Sequence, residues 1–267
     1  MPSTRLAQRP PAARLPGLSV VLPCPGGERG TAAVVREATR AAGLVADAHE
    51  IIVVVDGGRG GARARAAALA AADPRVRVLA RDADEQGGGV GGRGAAVRTG
   101  LRAVRMPWVL LTDAAPQYDL TTLSDFLPAA VDHDLLVGYR VLRLDPLRRR
   151  AASATWNAVV RATLGVPVRD AGCGLALVRR SALAGVRLTA DGELIGAELV
   201  AALAAHGARI AELGLRHRPP APGHPGGPPP RVGLGALAEL RRIRARTRAA
   251  GAAGAVSRTS EQTFSRA

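Results

Sequence analysis

The sequence predicts an α/β domain with a mostly parallel central sheet, on three observations. From Leu18 onward, short apolar runs alternate with longer Ala/Arg-rich stretches, the pattern that strand-helix-strand units impose. Three of the runs end on residues suited to a ligand crevice: Pro23, Asp56 and Asp113. Ligands of open α/β sheets bind outside the carboxyl ends of the strands, so these positions are expected to converge. Lastly, 267 residues with 47% hydrophobic content suffice to bury one large core with tails outside it.

The elements follow in order. "LSVVLP" (18–23) is the first strand, and 31–43 is a helix with Thr31 as N-cap and Gly43 as its stop. "HEIIVVVDGG" (49–58) is β-branched and unbroken, so it is a strand closed by a glycine turn after Asp56. A helix over 62–73, a strand over 76–81, a glycine-rich loop, a helix over 94–104 and a strand over 108–113 complete the first half. The second half reads as helix 120–131, strand 134–140, an Arg-rich connection, helix 153–165, strand 172–180, helix 195–207 and strand 209–217. These give a domain over 18–218, preceded by a flexible basic leader (1–17). It is followed by a Pro/Gly-rich linker (219–233), a basic amphipathic helix (234–251) and a disordered tail (252–267).

The formal net charge is +15, and all 37 basic side chains are Arg. Two readings stay open: an anionic partner, or the codon bias of a GC-rich genome. Aromatic content of 2% leaves little for base stacking, which argues against a nucleic-acid partner. Cys24 and Cys173, the only cysteines, form neither a disulfide framework nor a thiol metal cluster, as expected of two small residues in a reducing cytosol. No run reaches the roughly 20 apolar residues a membrane span needs. The expectation is a cytoplasmic protein whose membrane contact is at most peripheral, at anionic lipid on the inner face.

"EQGGGVGGRGAAVRTG" (85–100) invites a phosphate-loop reading, since glycines let backbone N–H groups approach phosphate before a helix begins. It lacks the Gly-Lys-Ser/Thr ending of a P-loop and follows the third strand, not the first, as a dinucleotide fingerprint would. A loop over a phosphate-bearing ligand, with Arg93 or Arg98 as the positive group, and a plain connection are the two readings.

Taken in order, "LSVVLP", "HEIIVVVDGG", "GRGAAVRTGL", "VLLTDAAPQYD", "LLVGYR", "VRDAGCGLALVRRSAL" and the stretch from "GELIGAELVAAL" to "HRPPAPG" resemble glycosyltransferase family 2. The resemblance covers Leu18 to Gly223 and is nearest the dolichyl- or polyprenyl-phosphate mannosyl/glucosyltransferase branch. It implies a GT-A-like nucleotide-diphospho-sugar transferase domain and inverting transfer of mannose or glucose to a polyprenyl phosphate or similar acceptor. Carried over by position, Asp56 faces the nucleoside, with Val55 in place of its acidic partner. Pro23, Glu28, Arg93, Asp113, Gln117 and Asp119 belong to the nucleotide-sugar side. Arg140, Arg148, Arg149 and His217 belong to the phosphate or acceptor side, and Asp170 and Asp113 are the catalytic candidates. Asp113 matches the first acid of the family's Asp-x-Asp metal motif, and Ala115 replaces the second. Gly26 and Gly27 stand for an Asn and a Glu, and Pro220 and Pro225 for an Arg and a Ser.

These losses concentrate on one task, neutralising the diphosphate leaving group. Mg²⁺ or Mn²⁺ would rest on Asp113 alone, completed by water and substrate phosphates. The metal-free route uses Arg residues as bidentate phosphate ligands, with Arg140, Arg143, Arg148, Arg149 and Arg150 as candidates. A phosphate acceptor is already an anion, so Asp170 need only orient and not abstract a proton. Two rivals remain: a degenerate relative that keeps the fold to bind a nucleotide or partner, and a membrane-surface or nucleic-acid protein acting through the Arg-rich helix.

Overall fold

The computed structural model describes residues 14–25, 31–56, 61–81, 92–113, 118–141, 147–215 and 234–264. Seven strands form one sheet: β1 (Leu18–Pro25), β2 (His49–Asp56), β3 (Val76–Arg81), β4 (Trp108–Leu111), β5 (Leu135–Arg140), β6 (Ala176–Arg179) and β7 (Ile210–Leu215), in the order β3-β2-β1-β4-β6-β5-β7. All pairings are parallel except those of β6, which runs antiparallel to both β4 and β5.

Successive side chains of a strand point to opposite faces, and the two cores divide accordingly. On one face Val20, Leu22, Ile51, Val53 and Val55 pack with α1 (Thr31–Val45), α2 (Ala62–Ala72) and the 120–127 segment. On the other, Val21, Ile52 and Val54 pack with α3 (Arg93–Ala103), α5 (Leu147–Leu164), α6 (Ile195–Ala205) and α7 (Leu234–Phe264). The amino ends of β1, β2 and β3 share a buried knot: Glu50 accepts from Ser19 Oγ (2.7 Å), Arg77 Nη1 (2.7 Å) and the Arg105 amide (2.8 Å). Burial alone would raise the Glu50 pKa, but these hydrogen bonds and the Arg77 charge hold it below its ordinary value. This knot lies at the sheet edge opposite the crevice and is structural.

Several boundaries differ from expectation. Residues 14–17 are not a free leader: the Leu15 backbone bonds Val45 and Asp47, and its side chain is buried. Arg14 donates to the Leu44 and Gly43 carbonyls, closing the end of α1, which passes Gly43 and stops at Val45. Over 120–131 the chain forms a 3₁₀ turn (Leu120–Phe126) and then the one-turn α4 (Leu127–Ala130), because Pro128 is at home in a first turn but not in a helix interior. The Arg-rich connection is partly helical, since α5 already starts at Leu147. β6 is confined to four residues, Ala176–Arg179. α6 ends at Ala205, where Gly207 (φ 82°) takes the left-handed conformation and Ala208 N bonds Leu203 O. α7 continues to Phe264, well into the stretch expected to be disordered; its Ala content favours helix, and its isolated glycines weaken it without stopping it.

Candidate active site

The parallel register puts the expected residues at one sheet edge. Val21 pairs with both Ile52 and Leu111, so Pro23, the end of β2 at Asp56, and Asp113 just beyond β4 emerge together. The reversed β6 adds a fourth segment. Ala176 pairs with Leu111, so the chain leading into β6 passes beside Asp113. A side-chain carbon built on Gly174 would lie 2.2 Å from Asp113 Oδ2, so only glycine lets this carboxylate sit against the backbone. The crevice so formed is lined by the polar or backbone-exposing Arg93, Thr112, Cys173 and Gly174 and by apolar residues that include Pro23, Val97, Ile195 and Leu199.

Asp113 is paired with Arg93, the first residue of α3. Arg93 donates from Nε (2.9 Å) and Nη2 (2.6 Å) to the single oxygen Oδ1. Burial alone would lower the Arg93 pKa, but the charges of Asp113 and Glu193 hold it above its ordinary value, so the side chain is a permanent cation. Arg98, the other candidate of the glycine-rich loop, turns away: it bonds the Ala190 carbonyl and Asp191.

Asp170 and Arg140 form a second pair, on the β5 side. Arg140 Nε meets Oδ2 at 2.7 Å and Nη2 meets Oδ1 at 2.8 Å, a two-point fork. Asn157 of α5 adds a longer bond to Oδ1 (3.3 Å), and the Asp170 carbonyl accepts from Cys173 N (3.0 Å), closing the turn into β6. Asp170 thus orients Arg140 and also holds the turn. The Asp170 charge and its hydrogen bonds outweigh burial and raise the Arg140 pKa.

Tyr118 sits between the pairs. Its hydroxyl accepts from Gly174 N (2.8 Å), and the side chain is buried in the core. Burial, with the Cys173 and Asp113 charges, pushes its pKa well up. Burial likewise pushes the Cys173 thiol up to about 12, so it remains protonated and inert at neutral pH.

Other expected residues stand apart. Asp119 caps the 3₁₀ turn, its carboxylate accepting from Thr121 N (3.1 Å) and Oγ1 (2.6 Å). Glu198 of α6 accepts from Thr189 N, Thr189 Oγ1 and Ala190 N, fixing the segment that Arg98 also grips. Arg148 and Arg149 lie in the first turn of α5, and their side chains, like that of Asp56, are outside the described residues. Glu28, Arg143, Ala115, Gln117 and His217 also lie outside them. Sequence reasoning missed the Arg93–Asp113 pair and the Tyr118–Gly174 bond, because each joins segments far apart in the chain. The one signal was indirect: Gly174 directly after Cys173, where a strand would take a larger residue.

A divalent ion finds few ligands at this crevice among the described residues. Among the described residues no three His, Cys, Asp or Glu side chains gather to hold one. Asp113 has Arg93 on one oxygen and Gly174 against the other.

A mixed sheet with a single reversed strand, carrying its crevice at the carboxyl ends of β1, β2 and β4, defines the GT-A class of nucleotide-sugar-dependent transferase folds. Residues 19–186 match the model of glycosyl transferase family 2, and the chain belongs to that family. Among solved structures it is similar to glucosyl-3-phosphoglycerate synthase from Mycobacterium tuberculosis in complex with phosphoglyceric acid. That likeness has a TM-score of 0.57 and 20% identity, covering 90% of this chain and 80% of that one. The same enzyme with Mn²⁺, uridine diphosphate and glucosyl-3-phosphoglycerate superimposes with a TM-score of 0.57 and 20% identity, covering 88% and 79%. A crystal structure described as a mycobacterial protein gives 0.56 and 20%, covering 88% and 74%. No curated protein matches this chain. Among the described residues no helix is long and apolar enough to cross a membrane.

Proposed function

We propose that the protein transfers a hexose, mannose or glucose, from a nucleotide-diphospho-sugar to a phosphate-bearing acceptor with inversion at C1. The observation that carries this reading is the convergence of Pro23, Asp113 and the Arg140–Asp170 pair at one edge of a family 2 domain. In the transfer an acceptor oxygen attacks C1, and the bond from C1 to the β-phosphate oxygen breaks. The electron pair leaves with the nucleoside diphosphate. A phosphate acceptor is anionic already and needs no base, only a cation to hold it. Arg140 is that cation. Asp170 and Asn157 fix it in place, and the sequence resemblance assigns Arg148 and Arg149 to the same acceptor side. The nucleotide side comprises Pro23, Glu28, Asp56, Arg93, Asp113, Gln117 and Asp119, and His217 joins the acceptor side.

Polyprenyl phosphate is the acceptor favoured by the sequence resemblance. The exposed Arg241, Arg242 and Arg248 of α7 would suit an anionic bilayer that presents it. Phosphoglycerate is the second reading, favoured by the acceptor seen in the similar solved structures. Both offer the same phosphate to Arg140. A non-catalytic relative is the opposing reading, motivated by Ala115, Gly27, Pro220 and Pro225.

The test is turnover. Purified protein is incubated with UDP-glucose or GDP-mannose and with polyprenyl phosphate or 3-phosphoglycerate, and products are followed by mass spectrometry. A glycosylated acceptor is expected, with Asp113→Asn reducing its rate at least tenfold. Absence of product from every donor and acceptor pair would leave the non-catalytic reading standing.

A further inference from the structure

We propose that the Arg93 guanidinium, held by Asp113, takes the diphosphate of the nucleotide sugar in place of a divalent metal ion. The inference rests on the transferase reading above and assigns the cation that such a transfer requires.

A divalent metal is best held by more than one carboxylate, and among the described residues Asp113 stands at this point with a guanidinium, not a second acid, beside it. Oδ1 accepts both Arg93 bonds, and Oδ2 lies against the Gly174 backbone. The sequence supplies no second acid two residues on, where Ala115 stands. The cation beside this carboxylate is therefore already part of the chain. Its position is fixed from both ends of the contact. The start of α3 packs so tightly on the 190–191 backbone that a side-chain carbon on Gly94 would lie 2.2 Å from the Ala190 oxygen, and Gly94 N bonds Asp191 O at 2.8 Å. The 189–190 segment is in turn pinned by Glu198. Arg93 is thus set before the substrate arrives, which is what electrostatic stabilisation of a developing charge demands.

The chemistry is balanced without an ion. A guanidinium offers five N–H groups in a planar fork. Two point to Asp113 Oδ1, and among the described residues these are the only hydrogen bonds of Arg93. Among the described residues the other three N–H groups have no partner, and they can serve two phosphate oxygens. As the C1–O bond breaks, the β-phosphate gains a negative charge, and Arg93 supports it electrostatically without giving up a proton. Asp113 is then a positioning residue: it orients Arg93 and does not touch the diphosphate.

Titration calorimetry with UDP and with GDP, each in EDTA and in MnCl₂, tests the proposal. Equal dissociation constants within about threefold in the two buffers are expected of the wild type. Arg93→Ala is expected to weaken binding in EDTA roughly 10–100-fold, the loss of charge-assisted hydrogen bonds, and Arg93→Lys to restore part of it. Wild-type binding that requires Mn²⁺ overturns this inference and leaves the transferase reading intact. Failure of the wild type to bind either nucleotide in either buffer overturns both. Unchanged binding by a folded Arg93→Ala assigns the diphosphate to another group and overturns the role of Arg93. Should that variant not fold, the wild-type comparison and Arg93→Lys still decide.

Discussion

Asp170 is 2% exposed and Arg140 reaches it from β5, 30 residues earlier in the chain. A buried ion pair of this kind adds little net stability over a well-packed apolar pair, yet removing one partner is costly, because the other charge stays buried and unpaired. Asp170→Ala is therefore expected to lower unfolding stability by about 3–5 kcal/mol. The double variant Asp170→Ala/Arg140→Met should recover most of the loss, and urea denaturation of both variants and the wild type measures the difference. A double variant as unstable as the single one would mean that Asp170 matters through the turn to Cys173 and not through Arg140. At this scale the sequence was half legible. Asp113 was singled out at a strand end, Arg93 in the glycine-rich loop, and Asp170 and Arg140 by the family resemblance. Their pairing was not, because which carboxylate meets which guanidinium depends on the reversal of β6, and no local pattern encodes that.

α3 carries Arg93 to the crevice, and glycines govern how closely it can approach. Gly100 lies over β1 and β2, where a side-chain carbon would be 2.3 Å from Val21 Cγ1 and 3.3 Å from Val54 Cγ2. Val21 and Val54 are fully buried, with little room to yield. In an exposed helix, Gly→Ala gains about 0.5–1 kcal/mol from backbone entropy. Here overpacking at about 1–3 kcal/mol outweighs that gain, so Gly100→Ala is expected to be net destabilising. Chemical denaturation monitored by circular dichroism checks the sign. A stabilised variant would show that α3 slides outward freely and that Arg93 is less firmly placed than its contacts imply. The strands were legible because buried β-branched runs have one reading. Helix boundaries were less so: α1 ran past Gly43 because Arg14, from a segment taken for a leader, closes its carbonyls. The helix over 120–131 divided at Pro128, a residue visible in the sequence whose effect depends on how the turn packs Phe126 into the core.

The molecule as a whole couples a crevice of fixed charges to a basic amphipathic helix that the sequence set beyond a Pro/Gly-rich linker. α7 buries Leu240 and Ile243 in the same core as Val160 of α5 and Leu203 of α6, and Arg246 bonds Thr189, on the segment that positions the start of α3. Its Arg-rich composition suggested a solvated or membrane-facing helix. Arg241, Arg242 and Arg248 are exposed on its outward face, while the apolar stripe beneath them is buried. Each fully buried aliphatic side chain contributes about 1.5–3 kcal/mol, so deleting residues 234–267 removes about 3–6 kcal/mol from Leu240 and Ile243 alone. A loss of that size is a large fraction of the net stability of a typical domain. The truncated chain should therefore unfold at markedly lower urea concentration or fail to accumulate as a folded monomer. Replacing Arg241, Arg242 and Arg248 by Gln in the full chain should leave the urea midpoint within the small range of surface substitutions, about 0.5 kcal/mol either way. Equal stability of the truncated and full-length chains would separate α7 from the domain. A large loss from the three Gln substitutions would instead mean that the outward Arg face, not the buried stripe, is what holds the helix.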